Sequence, residues 1–181
     1  MSKLLILSAG VSEDSYNTKL AKKLNKFLND EGVTNEIYEN LHEDIPFLLD
    51  NQEDIPKKII KMRKSLESAN KIVIFSPVYN GGFLAHLKNT LDWLSLSYEG
   101  HKYNSLFKDK TVGVITSVRG GGGNAQNAFD ILSAQLINYG LRVFEEFHLI
   151  TNKEHQVDVE IDENQKVFEN ITQYVNRFLD F

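Results

Sequence analysis

Three short stretches of the chain gather the residue types that hold a phosphate or a flat ring. The first is Ser8-Ala9-Gly10-Val11-Ser12-Glu13-Asp14-Ser15-Tyr16-Asn17. It sets three serine hydroxyls and an amide at the start of a helical period. A helix N-terminus offers unpaired N–H groups and a positive dipole end, a natural seat for an anion. Ser15 and Asn17 could add side-chain donors. Ser12 or Ser15 would equally serve as an ordinary N-cap, and the spacing alone leaves both readings open.

The second stretch is Ser76-Pro77-Val78-Tyr79-Asn80-Gly81-Gly82. Proline fixes φ, and the paired glycines allow the backbone to approach a flat ligand closely. Tyr79 and Asn80 bring an aromatic face and an amide. A plain strand-to-helix connection has the same composition. Lys88, Asn89, Asp92 and Trp93 follow. Lys88 and Asp92 stand at i and i+4, which predicts a surface ion pair. Trp93 reads as core or interface.

The third stretch is Ser117-Val118-Arg119-Gly120-Gly121-Gly122-Gly123-Asn124. Four successive glycines are costly in backbone entropy unless consecutive N–H groups face a ligand. No Lys-Ser or Lys-Thr follows, so this is not a P-loop. Gly120, Gly122 and Ala125 fit G-x-G-x-x-A, but on the fourth strand–helix unit instead of the first. Glu145, about 20 residues on, falls inside a predicted strand instead of at its end. Arg119 could meet an anionic ligand or simply be solvated.

The elements that must carry these turns are legible from periodicity. Leu4 to Leu7, Ile72 to Phe75, and Val112 with Val114 and Ile115 are short apolar runs of the kind buried on both faces of a parallel sheet. Val33–Glu39 alternates like an edge strand, and Val143–Ile150 supplies a fifth. Between them lie helical periods: Tyr16, Leu20, Leu24, Phe27; Ile59, Met62, Leu66, Ala69; Leu84, Leu87, Leu91, Leu94; Ala125, Phe129, Leu132, Leu136; and Val167, Ile171, Tyr174, Phe178. Gly32 and Gly140 stop two of these, and Asp54 is the expected cap of the second, with Pro56 in its first turn. Residues 40–53 and 95–109 read as loops. Strand then helix, five times over, predicts one α/β domain over residues 1–181. Its sheet should be doubly wound and parallel, in the order 2-1-3-4-5, with helices on both faces. Ligands of such sheets bind beyond the carboxyl ends of the strands, where all three turns fall.

Composition excludes several other classes. The chain has 181 residues, 41% hydrophobic and 25% charged, enough for a full core. Its formal charge of −5 argues against sequence-blind binding to nucleic acid or an anionic membrane. It has no cysteine, which removes disulfides, thiolate zinc sites and a thiol nucleophile, and fits a reducing compartment. Leu4–Leu7 is too short for a signal-peptide core, so a cytoplasmic chain is expected. The five histidines show no metal-ligand spacing, and no metal is expected. His86 and His101 are expected near the site rim, solvated.

Taken in order, the three turns resemble the NAD(P)H-dependent FMN reductases of the flavodoxin-like fold, a family with azo, quinone and chromate reductases. Ser8 through Leu20 is similar to the family pattern G-S-x-R-x-x-S-x-N-x-x-L, with Ser15, Asn17 and Leu20 matching and Ser12 standing where arginine is common. Pro77-Val78-Tyr79-Asn80-Gly81, Leu87-Lys88-Asn89 and Asp92-Trp93 resemble P-x-Y-N-G…L-K-N-x-x-D-W. Gly122-Gly123 with Ala125-Gln126 resembles the glycine-rich third loop.

The resemblance implies FMN as cofactor and NAD(P)H as co-substrate. The electron acceptor would be a small molecule: a quinone, azo compound or free flavin. It places FMN phosphate on Ser8, Gly10, Ser12, Ser15, Tyr16 and Asn17. Pro77, Val78, Tyr79, Asn80 and Gly81 would bracket the ring from one side, and Ser117, Val118, Arg119, Gly120 and Gly121 from the other. No catalytic acid or base is implied, and a homodimer is. Two other readings stand beside it. One is a flavodoxin-type electron carrier, whose T-x-T-G-x-T loop is missing here. The other is a fold relative without flavin that acts through protein contacts.

Overall fold

A computed structural model describes residues 3–12, 14–50, 54–118, 122–151 and 165–181. Five strands form one parallel sheet: β1 (Lys3–Ser8), β2 (Asn35–Tyr38), β3 (Ala69–Phe75), β4 (Thr111–Ser117) and β5 (Arg142–Ile150). Their order is β2-β1-β3-β4-β5, as the sequence predicts. Five helices connect or flank them among the described residues: α1 (Tyr16–Asp30), α2 (Lys57–Ser68), α3 (Ala85–Ser95), α4 (Ala125–Asn138) and α5 (Gln165–Asp180).

The strands are apolar on both faces because both faces are covered. Leu4 and Ile6 point into one core with Leu20 and Leu24 of α1 and Ile171 and Phe178 of α5. Leu5 and Leu7 point into the other, with Met62 of α2, Leu87 and Leu91 of α3 and Leu132 of α4. Alternation along one strand thus serves two layers of helix. Trp93 lies fully buried in the second core, as expected.

Two local expectations fail. Asp54 does not cap α2; Pro56 occupies the N-cap and forms no side-chain cap bond. Proline presets the entry φ without a capping side chain, and its carbonyl accepts from the Ile60 N–H at 3.0 Å. His101 does not reach the site rim. Both α2 and α3 run against the strands, so their last turns lie at the amino edge of the sheet. His101 follows α3 there and bonds Glu67, near the end of α2, at 2.9 Å. No described helix is long and apolar enough to cross a membrane.

Candidate active site at the carboxyl edge

β1 ends at Ser8 and the chain turns directly into α1. The Ser8 hydroxyl pairs with that of Thr18 at 3.1 Å, holding the strand end against the first helical turn. Gly10 sits between them. A Cβ there would stand 2.7 Å from Ser15 Cβ and against the Thr18 and Ser15 hydroxyls, so glycine is a steric requirement. Ser15 occupies the N-cap of α1 but makes no side-chain cap bond. The Ser15 hydroxyl therefore does not cap the first-turn donors of α1. Ser12 is exposed, and its carbonyl accepts from the Ser15 N–H at 3.0 Å. Asp14 leans to Lys19, 3.3 Å away. Burial pushes the Tyr16 phenol above its ordinary range and keeps it neutral.

Asn17 does something that the spacing did not reveal. It is only 3% exposed. Its amide donates to the Ser117 carbonyl at 3.1 Å and accepts from the Ser117 N–H at 3.0 Å. It thus clasps the end of β4 to the start of α1. The first and third turns are tied by one side chain.

The second turn is a tight hairpin. Tyr79 and Gly82 exchange both backbone bonds, at 3.0 and 2.9 Å. Asn80 and Gly81 between them have φ of 51° and 77°. Two successive positive φ values define a type I′ turn, for which Asn-Gly is the favoured pair. The turn lifts Tyr79 into solvent. Behind it, Ser76 is buried, and the Thr116 hydroxyl donates to its carbonyl at 2.9 Å. Pro77 and Val78 are half-buried.

The third turn leaves β4 through Val118, whose N–H donates to the Ile150 carbonyl at 3.0 Å. Arg119, Gly120 and Gly121 lie outside the described residues, as does Glu13. Beyond them, Asn127 of α4 donates to the Gly81 carbonyl at 2.8 Å. Asn124, at the N-cap of α4, packs against the same glycine. Asn127 was not visible as a site residue, because a lone asparagine in a helix has no spacing signal. The second and third turns are tied as the first and third are.

The remaining motif residues sit further back. Lys88 pairs with Asp92 at 2.6 Å, as expected. Tyr139 adds a bond to the same carboxylate at 2.5 Å. Burial first, then this bond, pushes the Tyr139 phenol far above its ordinary range. His86 contacts the rings of His42 and Phe47. Glu145 lies inside β5, which removes the dinucleotide-type reading of the glycine run.

The fold is that of a flavodoxin-like α/β protein, with the three turns on one sheet edge. Residues 2–154 match the family described as NADPH-dependent FMN reductase, and the chain belongs to that family. Among curated relatives, an uncharacterized protein of Mycoplasma pneumoniae, the MG342 homolog, is 31% identical over 96 residues. That match spans 52% of this chain and 55% of the relative.

Solved structures share the fold, two of them as follows. The flavoenzyme FerB, an NAD(P)H:(acceptor) oxidoreductase from Paracoccus denitrificans, has a TM-score of 0.78 and 21% identity, covering 99% of this chain and 96% of its own. An FMN-dependent NADH-azoreductase from Bacillus anthracis, solved in complex with FMN, has a TM-score of 0.62 and 18% identity, covering 98% and 99%.

The family's cofactor is FMN, and the residues present fit it. The start of α1, where Ser15 makes no cap bond, the Ser12 and Ser15 hydroxyls and the cradle at Gly10 suit a phosphate. The exposed Tyr79–Gly82 hairpin offers backbone and an aromatic face.

Proposed function

We propose that the chain is an NAD(P)H-dependent FMN reductase acting on a small acceptor of the quinone or azo type. The observation that carries this reading is the pair of braces, Asn17 to Ser117 and Asn127 to Gly81. They fix three ligand-type turns relative to one another at a single edge. FMN, when bound, would supply the hydride and electron transfer between NAD(P)H and the acceptor. For a quinone the balance is NAD(P)H plus a proton plus quinone to NAD(P)+ plus hydroquinone.

The protein's part is to seat and orient. The first turn holds the phosphate through α1 N–H groups, Ser12, Ser15 and the backbone at Ser8, Gly10 and Tyr16. Asn17 positions the third turn through Ser117. Pro77, Val78, Tyr79, Asn80 and Gly81 flank the ring on one side. Ser117, Val118, Arg119, Gly120 and Gly121 would flank it on the other.

The same reading implies a cytoplasmic location, where nicotinamide nucleotides are supplied. It also implies a homodimer. Ile131 and Ile137 on the outer face of α4, with Tyr103, expose large apolar surface for a second copy. Sedimentation of wild type against Ile131→Lys tests that pairing.

Flavin fluorescence titration tests the main reading. FMN should bind saturably, in preference to FAD. Initial rates with NAD(P)H and a quinone should give parallel double-reciprocal lines, because both substrates use one surface in turn. No saturable response to any flavin overturns the reading. Flavin binding without NAD(P)H turnover favours an electron carrier.

A further inference from the structure

Asn89 and Trp93, the most distinctive residues of α3, are engaged with the segment that follows β2. The Asn89 amide donates to the Pro46 carbonyl at 3.0 Å, and Trp93 Nε1 donates to the same oxygen at 2.8 Å. The Leu48 N–H donates to Asn89 Oδ1 at 2.9 Å. Both mounting side chains are buried. Between the two anchored residues stands Phe47, 61% exposed, with Leu49 beyond it at 69%. One face of the Phe47 ring lies over His86, at 5.9 Å between centroids and 26° between planes. His86 is backed in turn by His42 at 5.6 Å.

Anchoring the backbone on both sides of an exposed ring removes in advance part of the freedom that binding would cost. Its free face suits another flat ring. The position suits one too. β2 and β3 both end at the carboxyl edge. His86 stands in the first turn of α3, four residues after the Tyr79–Gly82 hairpin.

Charge narrows the occupant. Residues 39–50 include Glu39, Glu43, Asp44 and Asp50 and no Lys or Arg. Glu39 pairs with Lys22. Lys58 reaches this segment, where its ammonium donates to the Asn40 and Glu43 carbonyls at 2.7 and 3.1 Å. Lys88 is held by Asp92. The segment around the ledge is therefore negative.

We propose that Phe47, backed by His86, is the docking ledge for a neutral, planar, conjugated electron acceptor, a quinone in preference to an anionic dye. This rests on the reductase reading above. The probes are menadione, which is neutral, and 1,2-naphthoquinone-4-sulfonate, which is anionic. Trp93 is the single tryptophan, bonded one residue from the ledge, so its quenching reports binding without any turnover.

Menadione should quench wild-type protein at a concentration at least fivefold below that needed for the sulfonate. Phe47→Ala should raise the menadione half-saturation, and its KM in turnover, at least fivefold. Phe47→Tyr, which keeps the ring, should restore both. Equal quenching of wild type and Phe47→Ala overturns the ledge, as does equal response to the two quinones. An FMN titration of the same samples separates the two ideas. If wild type takes up no flavin, the reductase reading fails while the Trp93 signal still decides the ledge.

Discussion

Asn17 and Ser117, 100 residues apart in sequence, exchange two hydrogen bonds at 3.1 and 3.0 Å through the Asn17 side chain and the Ser117 backbone. Losing them would remove two buried hydrogen bonds, at about 0.5–1.5 kcal/mol each. Asn17→Ala should therefore weaken FMN and riboflavin by a similar factor, roughly tenfold, because it loosens a turn instead of removing a phosphate ligand. Titrating both flavins into both proteins checks this. A loss confined to FMN would assign Asn17 to the phosphate.

Ser12 gives the opposite signature. It is exposed beside the start of α1, where Ser15 makes no cap bond and the family commonly carries arginine. A charged partner strengthens a phosphate hydrogen bond to about 1.5–3 kcal/mol. Ser12→Arg should tighten FMN by roughly tenfold, about 1.4 kcal/mol, and leave riboflavin unmoved. An equal gain for riboflavin would show that position 12 does not address the phosphate. Wild-type protein should lose part of its FMN on purification.

Gly10→Ala should destabilise the fold itself. The added methyl meets Ser15 Cβ at 2.7 Å with no room to turn away. Overpacking of this kind costs about 1–3 kcal/mol. Gly123→Ala is the control, since nothing lies within 4 Å of its new Cβ. Thermal melts should show a drop of several degrees for the first and little for the second.

Alkaline stability should fall steeply. Burial holds the Tyr38, Tyr139 and Tyr174 phenols above their ordinary value, Tyr38 to about 12 and the others further. Groups with raised pKa stabilise the native state below pH 10, and that contribution fades as pH rises through the folded value. Between pH 10 and 12 each phenol should remove up to about 1.4 kcal/mol per pH unit. Urea midpoints across that range measure the slope. Tyr139→Phe should flatten it, though it also loses the Asp92 bond.

The layered sheet was readable because each element announces itself locally. Leu4–Leu7 is apolar at every position, and α1 repeats at three and four. The jobs of the motif residues were not readable. Asn89 reaches back 43 residues and Trp93 reaches 47, each to the Pro46 carbonyl. Nothing in local spacing encodes such a partner. His101 was misplaced for a related reason: nearness in sequence to α3 says nothing of which end of the sheet the helix leaves it on. Asp54 failed because proline entered the helix without needing a cap.

Four side chains that brace the loops of the site each grip backbone and not another side chain. Asn17 holds Ser117, Asn127 holds Gly81, and Asn89 and Trp93 hold Pro46, each through a main-chain atom. A peptide group is the same whatever residue carries it. The gripping side chains are thus constrained in identity, while the gripped positions answer only to backbone shape. The loops at this edge can therefore change their side chains, and with them the molecules they meet, without losing the scaffold that aims them.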